Sequence, residues 1–169
     1  MTARSRALLV AALHVLLVAS IGAKFLYDRS QYPHLWVEAA PYDPDMPIRG
    51  RYVSIGLIVD LERSAGNDGG QRDAYGFPAR LEVRGDRLVA VPDDARGRQW
   101  VRSCRRDQTD CWRLVRQLAY FIPEHAADPS RPPQGETLWA EVTVPPTGPP
   151  RPIRLGLKKA GGAIEPIAP

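Results

Sequence analysis

The chain has 169 residues, a formal charge of +4 and a sequence pI near 9.3, which suits one domain of ordinary size plus an appendage and leaves little room for a second core. Its 17 prolines and 14 glycines interrupt the chain often, favouring short strands over long helices outside the N-terminal region. The basic excess is nearly all arginine and falls short of the dense cationic stripe a nucleic-acid binder needs, so no nucleic-acid partner is expected.

The first element is apolar. After Arg4 and Arg6 comes "ALLVAALHVLLVASIGA", Ala7 to Ala23, interrupted only by His14 and Ser20 and followed by Lys24 and Phe25-Leu26-Tyr27. With its aromatic flank the run reaches the roughly 20 residues of a spanning helix. A transmembrane anchor is expected over 7–27. A cleaved signal peptide is the rival, with Val18-Ala19-Ser20 as its small-residue site. The run outlasts the roughly 7–15 residues of a signal core, and no Ala-x-Ala closes it, which favours the anchor. The N-terminal amine with Arg4 and Arg6, against Lys24 and an Arg29 beside Asp28, places residues 1–6 inside and exports 28–169. His14, in the middle of the run, is expected as a neutral imidazole bonded to a neighbouring helix rather than as a proton carrier.

The exported part reads as mainly β, a compact antiparallel sheet domain, either a sandwich or a partly open barrel. "LWVEA", Leu35 to Ala39, is a short alternating strand. "RYVSIGLIVDL", Arg51 to Leu61, is a longer one, with Gly56 as a bulge or a close-packing point. Residues 62–76 are polar and Gly-rich and read as a mobile surface loop without the Lys-Ser/Thr of a phosphate loop. "ARLEVRGDRLVAV" follows as a hairpin whose Gly85-Asp86 turn needs glycine first, which explains the Arg84-Gly85-Asp86 tripeptide without a receptor.

Cys104 and Cys111 lie between "QWVRSC" and "CWRLVRQLAYF", each read as one strand. That is a hairpin whose arms a disulfide would bridge in an oxidising compartment. Free thiols are the alternative. Zinc is disfavoured by the spacing and by the lack of patterned partners in His34 and His125. The arginines between Arg96 and Arg116, interleaved with Trp100 and Trp112, form a basic region suited to anionic lipid or an acidic partner, or simply a solvated face. "ETLWAEVTV" and "PIRLGLKK" read as a last strand pair joined by the stiff Pro-rich connection 145–152.

"PYDPDMPIRGRYVSIGL", Pro41 to Leu57, resembles the signature of the GDYXXLXY family of membrane-anchored bacterial proteins: a Pro-x-Asp-Pro lead, an Arg-Gly corner, then Tyr-Val and an alternating strand. "YFIPE", Tyr120 to Glu124, and "RPIRLGLKK" are similar to its later blocks. The resemblance departs at Arg51, where the family has an acid, and at Ile55-Gly56-Leu57, where it has Leu-x-Tyr. It implies a small β-rich domain on one helix in the inner membrane, facing the periplasm and associated with a multi-spanning membrane protein, with no established activity.

Read from the residues themselves, Gly50 turns the chain and Tyr52-Val53 enter the sheet, so the stretch is a sheet corner. Asp43, Asp45, Arg49, Gly50, Arg51, Tyr52 and Glu124 form the candidate binding surface, and no catalytic residue, metal or cofactor is assigned. The competing class is an envelope enzyme with a polar site at Asp43, Arg49, Arg51 and Glu124. No nucleophile and base stand out, since Asp45 occupies the position where a Ser-Met-x-Pro motif needs serine. Tyr52-Val53 and Tyr120-Phe121 are expected to pack in one core, with Phe121 buried.

Overall fold

The computed structural model describes residues 3–42, 52–62, 76–106, 109–123, 129 and 132–167. The chain divides into two units, Met1–Tyr32 and Pro33–Pro169. The first is one helix, α1, Ala3–Gln31. Its 28-residue stretch Arg4–Gln31 is long and apolar enough to cross a membrane, and none of its most apolar window is buried. Leu8, Leu9, Leu13, Val15 and Leu16 are all exposed, so apolar side chains project on every side of the helix. The polar groups in this run bond back to their own helix. The His14 Nδ1 lies 2.7 Å from the Val10 carbonyl oxygen, and Ser20 Oγ donates to the Leu17 carbonyl at 2.7 Å, which lowers the cost of carrying them among apolar neighbours.

The second unit is built from ten strands among the described residues: β1 His34–Tyr42, β2 Tyr52–Leu61, β3 Phe77–Arg84, β4 Arg87–Pro92, β5 Gln99–Arg106, β6 Thr109–Leu114, β7 Leu118–Phe121, β8 Glu136–Thr143, β9 Arg151–Lys159 and β10 Ile164–Pro166. They follow the order β10-β9-β8-β1-β2-β4-β3-β5-β6, and β6 and β7 also pair with β2. The domain is therefore mainly β, as its alternating segments predict. All pairings are antiparallel except β2 with β4, at Asp60↔Val89 and Leu61↔Ala90.

β2 belongs to two substructures. Its first half pairs with β1 (Ala39↔Leu57) and with β7 (Tyr52↔Phe121 to Ile55↔Leu118). Its second half pairs with β4 and, at Ile58↔Arg113 and Val59↔Trp112, with β6. The path β2-β4-β3-β5-β6-β2 thus closes a small barrel. Side chains fill a barrel of so few strands. Val59, Ala79, Leu88, Ala90, Val101 and Leu114 are buried there, with Phe77 and Trp112 edge to face at 5.5 Å. Leu35, Val37, Val53, Ile55, Leu138, Ala140, Val142 and Leu155 cover the inner face of the remaining sheet, in one cluster with the barrel core.

One local expectation changes. "CWRLVRQLAYF" is not one strand: the ladder stops after Leu114 and resumes at Leu118, so β2 is met first by β7 and then by β6. Gly56 is a close-packing point rather than a bulge, since a Cβ there would lie 2.7 Å from Arg113 Cδ. The bulge is at Glu141/Val142, opposite Pro152, where a residue lacking an N–H costs the ladder least. Gly85 has φ 64°, the positive angle the hairpin turn requires. The β8–β9 connection is a compact corner, with Pro145 and Pro150 buried. Residues 63–75 of the expected loop lie outside the described residues.

Gly97 closes the β4–β5 turn, its N–H donating to the Asp93 carbonyl at 2.7 Å while Asp93 Oδ1 accepts from the Arg96 N–H at 2.8 Å. A Cβ on Gly97 would meet the Ala79 nitrogen and the Pro78 carbonyl carbon, each at 2.7 Å, and backbone atoms cannot swing aside. Gly97→Ala is expected to cost about 1–3 kcal/mol. Gly162→Ala, whose nearest contact would be 3.5 Å, is expected to be nearly neutral, and the two denaturant midpoints compared side by side check the difference.

Candidate functional site

Of the expected binding surface, Asp43, Asp45, Arg49, Gly50, Arg51 and Glu124 lie outside the described residues, and so does His125. Tyr52 is placed. It opens β2 opposite Phe121, the ring centroids 6.2 Å apart. The two family-like blocks are therefore neighbours, but only half of each reaches the core. Val53 and its partner Tyr120 face inward, while Phe121 is 73% exposed. The expectation of a buried Phe121 fails because successive residues on a strand point to opposite faces, so Tyr120 and Phe121 cannot both enter one core.

A different surface gathers chemistry. β1 and β8 each carry the triplet Trp-x-Glu, Trp36-Val37-Glu38 and Trp139-Ala140-Glu141. Period-two alternation buries Val37 and Ala140 and turns both Trp and both Glu to the outer face. The antiparallel register crosses them: Trp36 lies opposite Glu141, and Glu38 opposite Trp139. β9 adds cations to the same face, the Arg154 guanidinium 5.4 Å from the Trp36 ring centroid and the Lys158 Nζ 4.7 Å from that of Trp139, both within cation–π range.

Hydrogen bonds fix this array. Trp139 Nε1 donates to Thr137 Oγ1 at 2.8 Å, and that hydroxyl lies 3.4 Å from the Lys158 carbonyl. Glu141 accepts from Arg154 Nε, and its other oxygen lies 3.6 Å from His34 Nδ1. Gly156 faces Trp139 across the ladder, and a Cβ there would come within 3.0 Å of Trp36 Cζ3. Its bare backbone lets the Trp36 indole extend across β9.

This face forms one wall of an open cleft of about 750 Å³, whose other wall holds Ile58, Asp60 and the Gly85-Asp86-Arg87 turn. Asp60 and Arg87 pair at 3.4 Å. Beside them Arg84 bridges Glu62 and Glu82, at 2.7 and 2.8 Å, and its hydrogen bond holds the Glu62 carboxyl below its ordinary value. A cleft with two indoles and paired charges of both signs suits a polar ligand that presents flat apolar faces between hydrogen-bonding groups. Ser54 Oγ donates to the Gln117 side chain, Thr137 faces a main-chain carbonyl, and both cysteines are oxidised.

The repeated Trp-x-Glu is legible in the sequence, because a two-residue spacing on a strand guarantees a shared face. Its significance comes from the register that sets the two triplets against each other. The cysteines stand where the hairpin reading expects them: Cys104 and Cys111 are direct cross-strand partners, Cα–Cα 4.9 Å, joined by a disulfide. Trp100 is exposed on β5, whereas Trp112 packs against the core, so only one of the two interleaved indoles contributes to the basic surface. No family model, curated protein or solved structure matches the chain.

Proposed function

We propose that the chain is a single-pass, membrane-anchored binding module that works beside a multi-spanning membrane protein, its β domain outside the cytoplasm and its contact surface the Trp36/Trp139 cleft. The observation that carries this reading is the crossed Trp-x-Glu pair with a cation on each indole, a surface suited to recognition. The apolar helix and the disulfide support the membrane and export parts, since a disulfide persists outside the reducing cytoplasm. The resemblance of Pro41–Leu57 to the GDYXXLXY signature supports the class of partner.

A photo-activatable side chain placed at Lys158 in the full-length protein, in its native membrane, is expected to form an adduct with an integral membrane protein. Trp139→Ala is expected to weaken that association by about 2 kcal/mol, roughly thirtyfold, as loss of a central indole does, while the circular dichroism of the domain stays unchanged. A reporter fused after Pro169 is expected to be active only if it works outside the cytoplasm. Adducts confined to soluble proteins, or equal yields with and without Trp139, would overturn the reading.

A further inference from the structure

The β5–β6 hairpin holds two arginines in an arrangement that sheets ordinarily avoid. Arg102 and Arg113 are direct cross-strand partners, so their Cβ atoms stand on one face about 4.5–5.5 Å apart, and like charges so placed repel. The hairpin cannot splay to separate them, because the next row on that face is the Cys104–Cys111 disulfide. Both side chains are half-buried. The stem of Arg113 fills the space over Gly56, and its guanidinium carbon lies 5.8 Å from the Tyr42 ring centroid. The Arg102 Nε is buried without an acceptor.

Among the described residues no carboxylate pairs with either arginine. Burial first, then the charge of Arg102, hold the Arg113 guanidinium below its ordinary value. A buried donor with no acceptor, and two facing cations with no paired carboxylate among the described residues, each cost stability. An anion at this position would relieve both.

We propose that Arg102 and Arg113 form a binding site for a phosphate dianion, free or as a phosphate monoester. Charge selects it. Two guanidiniums match the roughly −1.5 to −2 of a phosphate monoester, whereas one carboxylate leaves a cation uncompensated, and the guanidinium fork is shaped for bidentate contact with such oxygens. Trp100, two residues along β5 on the same face and 51% exposed, lies beside Val115, whose N–H donates to the Trp100 carbonyl at 2.8 Å. Together they offer an apolar shelf for the organic part of an ester.

The test uses full-length protein in detergent, with thermal unfolding followed in inorganic phosphate and in chloride at equal ionic strength. Phosphate stabilises folded proteins in general by exclusion, so the informative quantity is the difference between wild type and Arg102→Gln. Wild type is expected to gain about 5 °C in a saturable manner, with half-effect near 1 mM or below. Arg102→Gln is expected to lose the saturable part and, with the repulsion removed, to be at least as stable as wild type in chloride. Equal gains in the two proteins would overturn the site. Independently of any variant, ³¹P resonance broadening of inorganic phosphate by wild-type protein is expected, and its absence at millimolar protein would also overturn it. Two arms then identify the source: saturation by phenyl phosphate marks a soluble ester, and stabilisation in phosphatidic-acid but not phosphatidylcholine nanodiscs marks a lipid headgroup. Both require Arg102.

Discussion

Leu57→Ala is expected to lower the stability of the β domain by about 2–5 kcal/mol, whereas Phe121→Ala should change it by no more than about 0.5 kcal/mol. Leu57 is fully buried at the point where β2 passes from the β1/β7 sheet into the barrel. Its neighbours are held by ladders on both edges: Ala39 pairs with it on β1, while β7 ends against Ile55 and β6 begins against Ile58. A cavity opened at such a hinge between two substructures has little freedom to collapse, which is the circumstance in which a lost isobutyl group costs most. Phe121 is the larger side chain but faces outward, its ring tilted beside that of Tyr52. Urea denaturation of the two variants in the same detergent measures the contrast. A greater loss for Phe121→Ala would mean that β7 presents its other face to the core, and the register Tyr52↔Phe121 would have to shift by one residue.

The fold was legible where a local rule was sufficient and illegible where partners were chosen from far along the chain. Alternation marks β1, β2, β8 and β9, and the Gly85-Asp86 turn marks the β3–β4 hairpin, because side-chain period and turn geometry are properties of a few adjacent residues. Ile164-Glu165-Pro166 carries no such pattern. It is a strand only because β9 offers an edge to it. The break at 115–117 was hidden because "CWRLVRQLAYF" stays apolar enough to read as continuous, and only the need to serve both halves of β2 interrupts it. Most of the candidate surface read around the Arg49-Gly50 corner falls outside the described residues. The surface the structure does bring together was written in the sequence as Trp36-x-Glu38 and Trp139-x-Glu141, but nothing local says that two triplets a hundred residues apart are crossed partners. The arginine pair is a middle case. Once Cys104 is set opposite Cys111, antiparallel pairing forces Arg102 opposite Arg113, so the disulfide expectation already contained the charge conflict that marks the second site.

Replacing Cys104 and Cys111 together by serine is expected to cost about 2–3 kcal/mol, the loop-closure entropy of so short a ring. The bond lies toward the hairpin's tip: Val59↔Trp112 is the last β2–β6 pairing, and beyond it β6 pairs with β5 alone. Without the bond, the rows from Cys104↔Cys111 outward are held by backbone ladder alone, so the hairpin end should exchange its amide hydrogens faster than the barrel interior around Val101 and Leu114. Mass spectrometry of unreduced peptides from protein recovered in the membrane fraction should show the two cysteines linked. Two freely alkylated thiols would count against both the stabilisation and an extracytoplasmic domain, because the bond forms only where the surroundings are oxidising. Linked cysteines combined with unchanged stability in the double variant would be a narrower failure, leaving export standing and removing the disulfide as the reason the arginines stay opposed.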